Sequence, residues 1–134
     1  MRTLRGDTAD VLVARTGDGG ATWAGPVRAN DDPAGTGVGQ DEPWLAYSSS
    51  GTLAIAWRDR RAGGAGPFTV PFEIYDNGAT FAANQRLSDA VSPSPDLESG
   101  NDFIAVSATD SAFAVVWGDD RSGAIAIELG VTVP

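Results

Sequence analysis

The chain has no cysteine and no histidine, and its nine basic residues are all arginine, so lysine is absent as well. Without cysteine there is no disulfide framework, no thiolate metal site and no cysteine nucleophile. Without histidine the usual general base and the commonest metal ligand are missing, and with them any Ser-His-Asp machinery. Long apolar runs are lacking: no segment approaches the roughly 18 residues of a membrane helix. Near the N-terminus the run Val11–Ala14 is too short for the apolar core of a signal peptide. The expectation is a chain with no membrane span and no signal peptide. Helical periodicity is scarce too, since no window of about 12 residues sustains an i, i+3, i+4 apolar pattern.

What is present is globular in composition. The 134 residues are 42% hydrophobic and 20% charged, which is enough to bury a core and unlike a disordered chain. With 17 glycines and 8 prolines the sequence is rich in turns. Asp and Glu total 18, giving a net charge of −9. Such a surface repels a phosphate backbone and an anionic lipid surface, so no nucleic acid and no membrane is expected as a partner.

Short β-rich runs recur, each bounded by Gly, Asp, Asn, Ser or Pro. They predict strands at Asp10–Arg15, Trp23–Arg28, Trp44–Ser48, Thr52–Asp59, Thr69–Tyr75, Phe81–Leu87, Phe103–Ala108, Ala112–Asp119 and Ile125–Glu128, with Val131–Val133 as a further strand or a tail. Both faces of Thr52–Trp57 are apolar, which suggests a strand covered on two sides by stacked sheets. Ser50-Gly51 and Thr109-Asp110-Ser111 read as hairpin turns. Ala29–Pro43 and Ser88–Asp102 read as the long loops.

The sequence also repeats itself. Trp57-Arg-Asp59-Arg-Arg61 returns as Trp117-Gly-Asp119-Asp-Arg121, 60 residues on, and Asp18-Gly-Gly20-Ala-Thr22-Trp23 returns as Asp76-Asn-Gly78-Ala-Thr80-Phe81, 58 residues on. The hairpin from Trp44 to Trp57 matches the one from Phe103 to Trp117. Several strands per unit at such a period point to β-propeller blades, each a four-stranded antiparallel sheet.

Thr16-Gly-Asp18-Gly-Gly20-Ala-Thr22-Trp23 resembles the Asp-box, or BNR repeat, of the sialidase-like β-propeller superfamily. The second copy keeps Asp76, Gly78 and Thr80, has Phe81 for Trp, and has Ile74 where Ser or Thr belongs. The resemblance implies an all-β chain of about two blades: residues 1–29 end one blade with its box, 44–87 form a complete blade, and 103–134 begin the next. In the family the box forms the turn between a blade's third and fourth strands. Its Asp can accept bonds from the turn's own N–H groups, its Gly supplies positive φ, and Trp23 and Phe81 are expected to plug the apolar layer beneath. A structural role is therefore the expected one, with no metal and no cofactor. The acidic pairs Asp31-Asp32 and Asp41-Glu42 read as solvated loop residues.

The Trp-x-Asp-x-Arg units leave two readings open. Asp59 and Arg61 lie two apart on one strand face, as do Asp119 and Arg121. The arginines either brace one blade against the next or line a site for an acidic ligand. Sialidases hold a sialic acid carboxylate with three arginines from different blades. However, the family's Phe/Tyr-Arg-Ile-Pro motif is missing here, and with it any assignable acid/base Asp. Glu73 and Tyr75 share a strand face but sit beside a box, where packing is the better account of Tyr75. The resemblance thus implies an extracellular or cell-surface scaffold, or a glycan-binding module, without catalysis of its own. The alternative is a fragment of an exo-α-sialidase or related glycoside hydrolase. Expected partners are a carbohydrate ligand and the remaining blades, or copies of the chain joined as a homotrimer.

Overall fold

The computed structural model describes residues 9–61, 71–76, 80–92 and 104–133; for residues 71–76 and 80 it describes the strand backbone alone. The described chain is all β. In order the strands are β1 (Leu12–Arg15), β2 (Ala24–Arg28), β3 (Gln40–Tyr47), β4 (Leu53–Asp59), β5 (Pro71–Asp76), β6 (Thr80–Phe81), β7 (Gln85–Arg86), β8 (Ile104–Ala108), β9 (Phe113–Asp119) and β10 (Ala126–Thr132). They form three antiparallel sheets. The first pairs β1 with β2; the middle runs β3-β4-β5, with β6 and β7 both on the far edge of β5; the third runs β8-β9-β10. Among the described residues the sheets form an open stack and do not close into a ring.

The middle sheet is the filling of this stack. Every residue of β4 is buried. Leu53, Ile55 and Trp57 face the first sheet and pack with Val11, Val13, Ala29 and Phe81. Ala54 and Ala56 face the third and pack with Ile104, Val106, Phe113, Val115 and Trp117. The alternation follows from the two-residue period of a strand. Each large side chain removed from water in this way contributes roughly 1.5–3 kcal/mol. The alanines on the second face leave room for Phe113 and Trp117 opposite, so bulk on one sheet meets small residues on the next.

Four sequence expectations are corrected. The segment Phe81–Leu87 is not one strand: Ala82–Asn84 interrupts it, leaving β6 and β7. The loop Ala29–Pro43 stops early, because β3 begins at Gln40 through an irregular stretch between Asp41 and Trp44 where Glu42 has φ 51°. Ile125–Glu128 and Val131–Val133 are not separate, since β10 runs unbroken from Ala126 to Thr132. Trp23 does not plug an apolar layer: it is 63% exposed. Its ring lies against Gly20, and its Nε1 donates to the Gly20 carbonyl at 3.2 Å. Phe81 is half-buried and packs against the Trp57 cluster.

Candidate functional site

The Asp-box hairpin joins β1 to β2. Asp18 Oδ1 accepts from the Thr22 amide at 2.9 Å and from the Thr16 hydroxyl at 2.7 Å, while Oδ2 accepts from the Thr22 hydroxyl at 2.6 Å. Thr16 Oγ1 in turn accepts from the Gly20 amide at 2.9 Å. Gly20 sits at φ 95°, where a Cβ is strained. The hydrogen bonds from the Thr22 hydroxyl, the Thr22 amide and Thr16 hold the Asp18 carboxyl far below the ordinary carboxylate range. Both carboxylate oxygens of this exposed Asp accept from donors of its own turn. Beside it lies an open hollow lined by Arg15, Thr16, Gly17, Thr22 and Ala24. In the second box Gly78, and the side chains of Asp76 and Thr80, lie outside the described residues. So do the side chains of Glu73 and Tyr75.

The Trp-x-Asp-x-Arg units end β4 and β9 in the same geometry. Trp57 Nε1 donates to Asp59 Oδ2 at 3.4 Å, and Trp117 Nε1 to Asp119 Oδ2 at 3.3 Å. The Arg61 amide donates to Asp59 Oδ1 at 2.8 Å, and the Arg121 amide to Asp119 Oδ1 at 2.9 Å. Each guanidinium then folds back onto its own Asp and reaches out to a second carboxylate: Arg61 to Asp31, Arg121 to Asp89. Asp31 follows β2 of the first sheet, and Asp89 follows β7 of the middle one. Each arginine therefore ties its sheet to the preceding sheet. Asp59 and Asp119 are fully buried, so their charges are tolerable only because these donors surround them. Burial pushes the Asp119 carboxyl up, but the bonds from the Arg121 side chain and amide and from Trp117 outweigh it and hold the group low. The Arg121 guanidinium is raised by its bonds to Asp119 and Asp89.

The acceptors form a repeat of their own. Arg28-Ala-Asn-Asp31 returns as Arg86-Leu-Ser-Asp89, 58 residues on. That spacing was legible in the sequence and is the signal by which Asp31 and Asp89 could have been found. In the first copy Asn30 Nδ2 lies within hydrogen-bonding distance of Asp10, Asp32 and Gln40. Arg28 bonds Asp10 and Asp32. Asn84, in the gap between β6 and β7, exchanges two backbone–side-chain bonds with Asp31 and also meets Arg61. The gap between β6 and β7 is thus the point where the middle sheet reaches across to the first. The acidic pairs are partnered as well: Asp41 receives both Arg58 and Arg60.

Among the described residues no group of three His, Cys, Asp or Glu is placed to hold a metal ion. No helix there is long and apolar enough to cross a membrane. No family model matches the sequence, and no curated protein or solved structure is significantly similar to it.

Proposed function

We propose that this chain is a non-catalytic scaffold segment of a sialidase-like, Asp-box β-propeller, acting outside the cell. One observation carries the reading. Both Trp-x-Asp-x-Arg arginines are committed at two points, to a buried Asp on their own strand and to an Asp of the preceding sheet. A guanidinium held in that way braces, and it has little left for the carboxylate of a substrate. The order of strands supports the same reading. The first sheet corresponds to a blade's third and fourth strands, the middle to a whole blade, and the third to a first, second and third strand. Under this reading the partners are further blades or further copies of the chain, a trimer included, and any carbohydrate is bound on loops or exposed aromatics without turnover.

The test has two arms. Incubated with a fluorogenic sialoside, the purified chain is expected to release no fluorophore. Turnover that Arg61→Ala abolishes would establish the glycosidase alternative instead. In parallel, Arg61→Ala and Arg121→Ala are expected to lower the thermal midpoint, as loss of a brace requires. An unchanged midpoint in both variants would defeat the scaffold reading.

A further inference from the structure

The head of β3 departs from the rest of its sheet. Gln40 and Asp41 pair with Asp59 and Arg58, and pairing resumes at Trp44 with Ala56, so Glu42 and Pro43 together stand opposite Trp57 alone. Two residues against one make a bulge, a device that re-aims the side chain it carries. Among the described residues Glu42 is the one residue other than glycine with positive φ, and it precedes a proline, which favours extended backbone. Such a conformation is strained and persists only where the surroundings hold it. The Glu42 side chain gains little in return: it is 39% exposed, and its Oε1 lies 3.9 Å from Arg58 Nη2.

Trp44 closes the bulge and differs from the other three tryptophans. Trp57 and Trp117 donate Nε1 to Asp59 and Asp119, and Trp23 donates to the Gly20 carbonyl. Trp44 is 53% exposed, and among the described residues its Nε1 has no partner. The shortness of the first sheet does not account for this. Leu45 and Tyr47 face that sheet, whereas Trp44 lies opposite Ala56 on the face turned to the third sheet, where Ala46 and Ala54 are covered. One row along the same face Arg58 lies opposite Asp41, with Nε 2.6 Å from Oδ1, and Arg60 reaches Asp41 as well. Two guanidinium groups thus balance two carboxylates, so this patch is neutral in a chain of net −9.

We propose that the β3 bulge is a binding site for a neutral pyranoside, with Trp44 as its platform and Glu42 as its hydrogen-bond acceptor. The C–H face of a sugar ring lies on the indole, its hydroxyls donate to the Glu42 carboxylate, and a hydroxyl at the indole's edge accepts from Trp44 Nε1. An anionic sugar is disfavoured, because its carboxylate would meet Glu42 in a patch with no surplus of positive charge. The strain at Glu42 then has an account: it holds a carboxylate two residues from an open indole instead of leaving it to extend along the strand. The site rests on the scaffold reading only in its lack of turnover.

The test is saturation-transfer NMR on the full chain with methyl β-galactoside, methyl β-glucoside and methyl α-mannoside, and with N-acetylneuraminic acid as the anionic sugar. Saturable binding of at least one glycoside is expected, with no hydrolysis, and the anionic sugar should bind at least about tenfold more weakly. Trp44→Ala should weaken the glycoside at least about tenfold, while Trp23→Ala, the other exposed indole, should leave it unchanged. In Glu42→Gly the backbone strain is relieved, so the thermal midpoint should rise while binding falls by about tenfold. Four results would each overturn the proposal: no saturable binding of any of the three glycosides, preference for the anionic sugar, unchanged binding by Trp44→Ala, or a Glu42→Gly chain that is less stable or binds unchanged. Cleavage of a sialoside by a chain that still binds the glycoside through Trp44 would defeat the scaffold reading and leave this site standing.

Discussion

The two seams between sheets are built from the same arginine clamp but filled differently. At the seam between the first and middle sheets the clamp is embedded in polar groups: Asp10, Arg28, Asn30, Asp32, Gln40 and Asn84 surround the Arg61–Asp31 pair. The apolar cluster there is short of strands, and Leu45 and Tyr47 on the same face of the middle sheet stay 51% and 57% exposed. At the seam between the middle and third sheets the filling is apolar, and among the described residues polar ties stand at its ends. Ser49 and the Ser50 amide donate to Asp110 at one end, and Arg121–Asp89 and Ser92–Asp120 close the other. A two-stranded sheet offers too little apolar surface, so hydrogen-bonded polar side chains do part of the joining. A three-stranded sheet leaves that work to Phe113, Val115 and Trp117.

The comparison breaks most sharply at the tryptophans. Trp57→Ala and Trp117→Ala are each expected to cost about 3–5 kcal/mol, read from urea denaturation. A cost below about 1 kcal/mol at either site would show that the corresponding seam does not hold the fold together. Next come the buried carboxylates. Asp59→Ala and Asp119→Ala each strand an arginine and an indole N–H, with an expected loss of about 3 kcal/mol. Equal losses would mean the clamp works alike in either filling. Smaller again is removal of the far acceptor. Asp31→Ala should cost about 1 kcal/mol, because Asn84 and Arg61 both lose it. Asp89→Ala should cost less, and 1 M salt should erase its effect, because the Asp89 side chain is 89% exposed.

The smallest effect is in acid. Hydrogen bonds from the Ser49 hydroxyl and the Ser50 amide lower the Asp110 carboxyl to about 2. Burial works against the Asp31 carboxyl, but the bonds from Arg61 and the Asn84 amide keep it low. A carboxyl lowered on folding stabilises the fold above its unfolded value, near 4, and loses that contribution as pH falls through the lowered one. The urea midpoint should therefore be level above about pH 5 and decline below about pH 4. Asp110→Asn should flatten part of the decline through the second seam, and Asp31→Asn part of it through the first. A decline starting near pH 6 would contradict both.

The elements with one clear period were legible in the sequence. Thr52–Asp59 and Ala112–Asp119 stand within a residue of β4 and β9, and the apolar residues on both faces of the former correspond to its burial by two sheets. What was missed depends on partners far along the chain. Ile125–Glu128 and Val131–Val133 read as separate runs, yet β10 continues through Gly130, whose missing side chain leaves room for the Trp117 ring. Asp41-Glu42-Pro43 reads as loop, but Arg58 and Arg60 hold Asp41 and draw the segment into β3. Trp23 carries the box's aromatic signature without a cavity to fill, because among the described residues the sheet beneath it has two strands. The orientation of Arg61 and Arg121 was undecidable until Asp31 and Asp89, which are 30 and 32 residues away in sequence, were placed beside them.

In each clamp the donor belongs to one repeat and the acceptor to the repeat before it. A duplication of one 58–60-residue unit therefore arrives with an acceptor for the sheet that follows and a donor for the sheet that precedes. The clamp itself is the same at either join. A gene built this way can lengthen or shorten by whole units while every junction keeps its arginine clamp.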